Sequence, residues 1–265
     1  EQLTDQLVVI KPVDSRGGRG VIRLLPGVDR TWAYEMARAQ SPSGGVMMEE
    51  WLSGQQLSTE SAVQDGHVLA TGVGVRNYSR LDEFAPYCIE DGVDIGPLPT
   101  TSIDETIEQA CRALGWYQQG AGIVKGDLVI HDGQVWVIEL ACRLSGGFFA
   151  SHSLRLAYDL DLVGAAIRAA LGETLLMPPP LFQQYVCQRY VFPSPDDVGK
   201  QVTAILPYAG PEFHTMALKV GDVVQPVTCH PARWGQVIAT GASTAEAQQA
   251  AETAATWMYA GVGLT

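Results

Sequence analysis

Lys11 closes an apolar run, Leu7-Val8-Val9-Ile10, and stands just ahead of a glycine-rich stretch, Asp14-Ser15-Arg16-Gly17-Gly18-Arg19-Gly20. Glycine lets the backbone approach an anion closely, and successive N–H groups can cradle phosphate. A P-loop would place its lysine after the glycines and follow it with Ser or Thr, and no such sequence occurs. A dinucleotide fingerprint would open a helix, whereas Val21 to Leu25 reads as a strand. Two readings remain: a strand lysine with a glycine flap over a nucleotide, or an ordinary hairpin loop with an edge lysine.

Asp127, in Lys125-Gly126-Asp127-Leu128, and Glu139, in Val137-Ile138-Glu139-Leu140, each interrupt an apolar strand. A carboxylate there is costly unless it is paired or binds a cation. The two lie 12 residues apart across a turn containing Asp132-Gly133. A two-residue loop would pair Ile130 with Val135 and send the acids to opposite faces. A three-residue loop, Asp132-Gly133-Gln134, would pair His131 with Val135 and set Asp127 opposite Glu139, with Cβ atoms roughly 4.5–5.5 Å apart. A shared metal face therefore requires an odd loop, and that is the expectation. Carboxylates so close repel, and Mg²⁺ between them, beside a phosphate site, resolves the conflict. Lys125 shares their face, either as a ligand for phosphate or carboxylate or as a salt-bridge partner. Arg143 follows Glu139 by four residues, where the strand runs into Leu144-Ser145-Gly146-Gly147, within reach of the same anions. The alternative is two unrelated surface acids and an exposed arginine.

Other polar residues carry less. No G-x-S-x-G elbow supports Ser-His-Asp chemistry. His131 reads as a solvated turn residue. His152 and Ser153 follow the Gly146-Gly147 loop into a helix whose N-terminus either receives a carboxylate or is simply capped. Cys142, Cys229 and His230 read as packing residues. Trp51 and Trp136 read as core, with Trp51 also placed to flank an adenine.

These residues must be positioned by a mixed set of elements. A helix capped by Asp29 is expected over 31–39, a strand over 46–52, and two β arms over 56–78 around Asp65-Gly66. A loop follows over 82–101. Apolar residues at Ile103, Ile107, Ala110, Cys111 and Leu114 have helical spacing. One helix is expected over 154–171, stopped by Gly172, and Pro178 to Pro180 read as a linker. Short strands are expected over 185–192, 201–206 and 236–240, before a helix opened by the capping-box spacing Ser243-x-x-Glu246. The fold class is α+β, with a boundary near residue 178 and a smaller β-rich unit beyond it. The chain has 265 residues, 46% of them hydrophobic and 17% charged, which excludes disorder and coiled coil. Its 17 Lys plus Arg against 29 Asp plus Glu give a net charge of −12, unfavourable for nucleic acid or an anionic membrane surface. No apolar run is long enough to span a membrane. Five scattered cysteines without a CxxC pair read as reduced thiols in a cytoplasmic protein.

In this order the segments LVVIKPVDSRGGRGV, VMMEEWLSGQQLSTE and GIVKGDLVIHDGQVWVIELACRLSGG resemble the ATP-grasp superfamily of carboxylate–amine or carboxylate–thiol ligases. The resemblance runs from Leu7 to about Gly172, and Tyr185 onward is similar to the small C-terminal unit of the biotin-carboxylase-like branch. It implies the ATP-grasp fold over 1–178, with a flap lobe over 1–52 and a metal and substrate lobe over 53–178, followed by a C-terminal domain over 179–265. It implies ATP and Mg²⁺ as cofactors. Lys11 is then the lysine at the α-phosphate and adenine side. Gly17, Gly18 and Gly20 form the mobile loop over the β- and γ-phosphates. Because three glycines among charged side chains offer few apolar contacts, Asp14 to Arg19 is expected to be poorly ordered or lifted away from the site without nucleotide. Glu49, Glu50, Trp51 and Leu52 form the hinge that reads adenine, and Gln56 lies at the ribose. Asp127 and Glu139 are the Mg²⁺ acids, and Arg143 lies beside the transferred phosphate and acyl group.

Ala141 stands where the superfamily commonly has an asparagine ligand, which puts a second Mg²⁺ in question. Relatives also begin with an upstream α/β domain carrying a further lysine. This chain alone is therefore expected to bind ATP weakly, to turn over little, and to self-associate, a homodimer being one such state. The implied reaction activates a carboxylate as an acyl phosphate for attack by an amine, releasing ADP. The alternatives are a carboxylase activating bicarbonate, or a nucleotide-binding fragment without chemistry.

Overall fold

The computed structural model describes residues 7–98 and 102–265; the last three residues of the loop expected over 82–101 lie outside them. The first lobe is a three-stranded antiparallel sheet, β1 (Val8–Pro12), β2 (Ile22–Arg23) and β3 (Val46–Glu50), in the order β2-β1-β3. One helix, α1 (Arg30–Ala39), backs it. Asp29 caps that helix by accepting from the Thr31 and Trp32 N–H groups at 2.7 and 3.0 Å. Ala33 and Ala37, one turn apart, then pack on Ile10 and Ile22 to form a core with only four buried residues.

The remaining strands build one antiparallel sheet of eight. They are β4 (Gln55–Gln64), β5 (His67–Asn77), β6 (Gly92–Ile95), β7 (Ala121–His131), β8 (Gln134–Ala141), β9 (Tyr185–Val191), β11 (Phe213–Met216) and β12 (Gly235–Gly241). Their order is β11-β12-β9-β6-β5-β4-β7-β8. A two-stranded sheet pairs β10 (Val202–Ile205) with β13 (Val262–Leu264). Helix α2 (Ile103–Leu114) buries Ile103, Ile107 and Cys111 of the expected stripe, leaves Leu114 exposed, and ends on Gly115 in the left-handed conformation.

Four expectations need correction. The helix expected over 154–171 is two helices, α3 (Leu154–Tyr158) and α4 (Leu162–Ala170), preceded by a π-helical turn over Phe149–Ser153. Asp159 turns left-handed at φ +57°, and Asp161 starts a new helix by accepting from the Gly164 N–H at 2.9 Å. The loop over 82–101 contains β6, which bridges β5 to β9. Through that bridge the sheet crosses residue 178 without a break. The C-terminal residues are β-rich as expected and have a core of their own, formed by Cys187, Val191, Val237 and Ala239 against Ala247, Ala251, Ala254 and Met258 of α5 (Thr244–Ala260). Their main strands nevertheless extend the central sheet instead of forming a separate one. The cap of α5 is also shifted: Ser243 Oγ accepts from the Glu246 N–H, while Glu246 reaches back to the Ala242 N–H.

Candidate active site

A cavity of about 1010 Å³ opens between the small lobe and the eight-stranded sheet. Lys11, Gly17, Gly18, Glu49, Glu50, Trp51, Leu52, Gln56, Asp127, Glu139 and Arg143 all line it. Gly20 does not. At φ +70° it turns the chain back against α1, where a Cβ would sit 3.1 Å from the Ala37 Cα and the Gln40 Cβ.

The acid pair meets by a route different from the one its spacing suggested. The turn is the two-residue Asp132-Gly133, with φ +49° and +74°, and Ile130 pairs with Val135. That register alone would separate the acids. A β-bulge inserts Ile138 between Val137, opposite Leu128, and Glu139, opposite Asp127. Strand β8 is an edge strand, so the extra residue disrupts only one ladder. The carbonyl of the bulged Ile138 then accepts from Lys11 Nζ at 3.3 Å, across the cavity.

Lys11 is held on its own lobe by Glu49, with 2.5 Å between Nζ and Oε2. On the sheet side, Lys125 Nζ lies 2.6 Å from Asp127 Oδ2 and 3.5 Å from Glu139 Oε1, so the two acids already share one cation. Arg76, on β5, adds a second contact to Asp127 at 3.2 Å and pairs with Glu90 at 2.5 Å. Burial opposes ionisation of Asp127, but the Arg76 guanidinium and the Lys125 ammonium outweigh it and hold its pKa below the ordinary carboxylate value. Glu90 is likewise buried and held low, by Arg76 and Arg233. Arg233 donates to the Glu90 carbonyl at 2.6 Å and stacks 3.5 Å above the Tyr190 ring, whose hydroxyl donates to Glu90. Arg143 makes no ion pair among the described residues; at the cavity wall its Nη1 donates to Leu144 O at 3.1 Å.

Sequence reasoning missed Arg76, Tyr78, Glu90, Gln188, Tyr190, His230 and Arg233, all of which line the cavity. Polar residues two apart on one strand, Gln188 with Tyr190, were the available signal, because period two places them on one face. His230 lies under the glycine flap and is not simply a packing residue. The flap itself is seated on the C-terminal segment: Gly17 O accepts from the His230 N–H at 2.9 Å, and Pro231 packs beneath it. Glu60, fully buried on β4, accepts from the Ser145 N–H; burial raises its pKa to about 7 despite that bond and the charges of Lys125 and Arg143. Trp136 is 47% exposed at the cavity wall, and Cys142 is exposed, so neither is core. His131 is tied to the lobe hinge through Ser53 O. His152 stacks on Phe213 with ring centroids 4.0 Å apart and does not line the cavity.

The metal expectation depends on this donor set. Among the described residues no cluster of three or more His, Cys, Asp or Glu side chains could hold an ion. Two carboxylates on one face nevertheless suit Mg²⁺, which commonly takes one or two protein carboxylates and completes its shell with water and substrate phosphate. Lys125 now occupies the position between them, and Ala141 lies opposite Lys125 in the ladder, so no side-chain oxygen replaces the expected third ligand. No helix among the described residues is long and apolar enough to cross a membrane.

Comparison with known proteins supports this architecture. The model of the family "L-amino acid ligase C-terminal domain 2" matches residues 203–256. No curated protein sequence matches the chain. Among solved structures, L-amino acid ligase from Bacillus licheniformis superposes with a TM-score of 0.68 at 17% identity, over 100% of this chain and 64% of that one. Phosphoribosylglycinamide synthetase from Anaerococcus prevotii gives 0.63 at 13% identity, over 98% and 64%. The biotin carboxylase domain of 2-oxoglutarate carboxylase from Hydrogenobacter thermophilus, solved as a dimer with MgADP, ADP and bicarbonate, gives 0.64 at 15% identity, over 98% and 57%. The chain thus spans 57–64% of the length of these three structures. Across that span, these similarities show the ATP-grasp ligase fold in this chain.

Proposed function

We propose that this chain is the nucleotide-binding and catalytic part of an ATP- and Mg²⁺-dependent ligase that joins a carboxylate to an amine, with L-amino acids as the substrate class. The observation that carries the proposal is the charge of the cavity. The protein has 12 more acidic than basic side chains, yet seven of its 17 basic residues line this one cavity, against five of its 29 acids. Such a surplus, in a cavity with walls of low dielectric, selects a polyanion.

In this reading Lys11 and the flap residues Gly17 and Gly18 hold the phosphates, and the 49–52 hinge with Gln56 holds the nucleoside. Asp127 and Glu139 would hold Mg²⁺, which supplies neutralisation of phosphate charge. Arg143, unpaired, is placed to bind the carboxylate and to stabilise negative charge as its oxygen attacks the terminal phosphorus and ADP departs. The amine then attacks the acyl carbon and phosphate leaves. The protein contributes position and fixed charge, which is most of what phosphoryl transfer requires. The match over residues 203–256 favours amino acids over bicarbonate as the activated carboxylate. Association into a homodimer is part of the proposal, and light scattering tests it.

The experiment measures ADP and phosphate release with MgATP and pairs of L-amino acids. Release that needs both amino acids supports the ligase. Release with bicarbonate and no amino acid transfers the protein to the carboxylase class, and absence of MgATP binding by calorimetry removes both readings.

A further inference from the structure

The glycine flap and the C-terminal segment are far apart in sequence but meet closely at one point. Gly17 and Gly18 have φ values of +66° and +70°, open to glycine at no steric cost. A Cβ on Gly18 would sit 3.3 Å from His230 Cδ2 and Nε2, and one on Gly17 would sit 3.2 Å from Pro231 Cδ. The His230 N–H donates to Gly17 O at 2.9 Å. These two glycines thus serve the contact as well as the backbone conformation: a Cβ on either would press on this turn and require it to give by a few tenths of an ångström.

The turn beneath them is fixed. Ala232 N–H donates to Cys229 O, Arg233 N–H to His230 O, and Trp234 N–H to Val191 O of the sheet. Arg233 ties it to Glu90, Glu90 to Arg76, and Arg76 to Asp127. An unbroken line of polar contacts therefore runs from the flap to the proposed metal acid. His230 Nε2 is buried with no hydrogen-bond partner among the described residues. Burial and the neighbouring charges of Arg233 and Arg76 push the pKa of the ring well below its ordinary value, so it is neutral. A neutral ring can lie under the flap without repelling Arg16 and Arg19, whereas an imidazolium there would add a further positive charge.

We propose that His230 and Pro231 form the seat on which the phosphate flap closes, and that His230 is a positioning residue for nucleotide at this site. The proposal rests on the nucleotide reading above. It makes the C-terminal segment, and not the two lobes alone, responsible for where the flap stops.

Amide hydrogen exchange of residues 16–20 tests the seat without any ligand. His230→Ala should speed exchange of Gly17, Gly18 and Arg19 at least tenfold while leaving β7 and β9 protected. His230→Gln, which keeps a flat polar group there, should recover most of that protection. Gly18→Ala should loosen the same amides, and should add less on the His230→Ala background than alone, because the contact is then gone and only the strain of a non-glycine residue at φ +70° remains. Should His230→Ala fail to fold, the glutamine and Gly18 variants carry the test. In turnover, His230→Ala should raise the KM for ATP about tenfold and leave the KM for the carboxylate unchanged. Unchanged flap exchange in His230→Ala, or strictly additive effects in the double variant, overturns the seat. If the flap loosens but unmodified protein binds no MgATP, the seat stands as a contact and it is the nucleotide reading that fails.

Discussion

Each wall of the cavity carries a lysine bound to a carboxylate, Lys11 to Glu49 at 2.5 Å and Lys125 to Asp127 at 2.6 Å. Their settings differ. The Lys11 pair lies on a three-stranded sheet with a four-residue core, and the Glu49 side chain is a third exposed. The Lys125 pair lies on an eight-stranded sheet between larger cores, bound into a mesh with Arg76, Glu90 and Arg233. Similar contacts therefore do different work. On the lobe, a pair near solvent contributes little to stability and leaves the lysine able to bind a ligand. In the mesh, each charge is needed to balance another, so the sheet holds the geometry of its wall.

The sharpest break of that contrast is Arg76→Met. It leaves Glu90 and Asp127 short of their shared cation and should lower stability by about 3–5 kcal/mol, read from the urea midpoint. A loss below about 1 kcal/mol would show that the mesh is no more costly to cut than the lobe pair. The mesh also has a sign in pH. Asp127 and Glu90 have folded pKa values below their unfolded ones, so their stabilisation is present above the unfolded carboxylate range and is lost as pH falls through the folded values.

Glu60 has the opposite sign and the next largest effect. It ionises near pH 4.5 unfolded and near 7 folded, so the native state binds the extra proton between them and stability falls as pH rises across that window. Glu60→Gln should remove this slope and should be more stable than the parent at pH 8 by about 2–3 kcal/mol. Parallel stability curves for the two proteins between pH 5 and 8 would show that Glu60 is ionised throughout.

Lys11→Ala should cost under about 1 kcal/mol of stability. It should weaken MgATP about ten- to a hundred-fold, the loss of one charge-assisted contact of roughly 1.5–3 kcal/mol. Calorimetry alongside thermal unfolding separates the two effects. Glu139→Gln should change stability least, since that side chain is half exposed. Mg²⁺-dependent turnover should nevertheless fall at least tenfold, and an unchanged Mg²⁺ requirement would remove Glu139 from the metal site.

The sequence by itself determined the features that near neighbours control. Asp29 with its following alanines specified α1, and the 4-residue spacing of Ile103, Ile107 and Cys111 specified α2. That a turn falls near Asp132-Gly133 was also legible, though its two-residue length was not, as were the positions of Lys11, Asp127, Glu139 and Arg143 on strands and at their ends. These depend on backbone preference and on the periods 3.6 and 2, which a short stretch encodes. Only the tertiary structure decided the rest. That Asp127 faces Glu139 depends on the Ile138 bulge, which answers to the edge position of β8 and to the Lys11 ammonium across the cavity. That Arg76, Glu90, Tyr190, His230 and Arg233 meet depends on β6 joining β5 to β9 in one sheet. Register and strand order are chosen by burial summed over residues far apart in the chain, and no local pattern carries that sum.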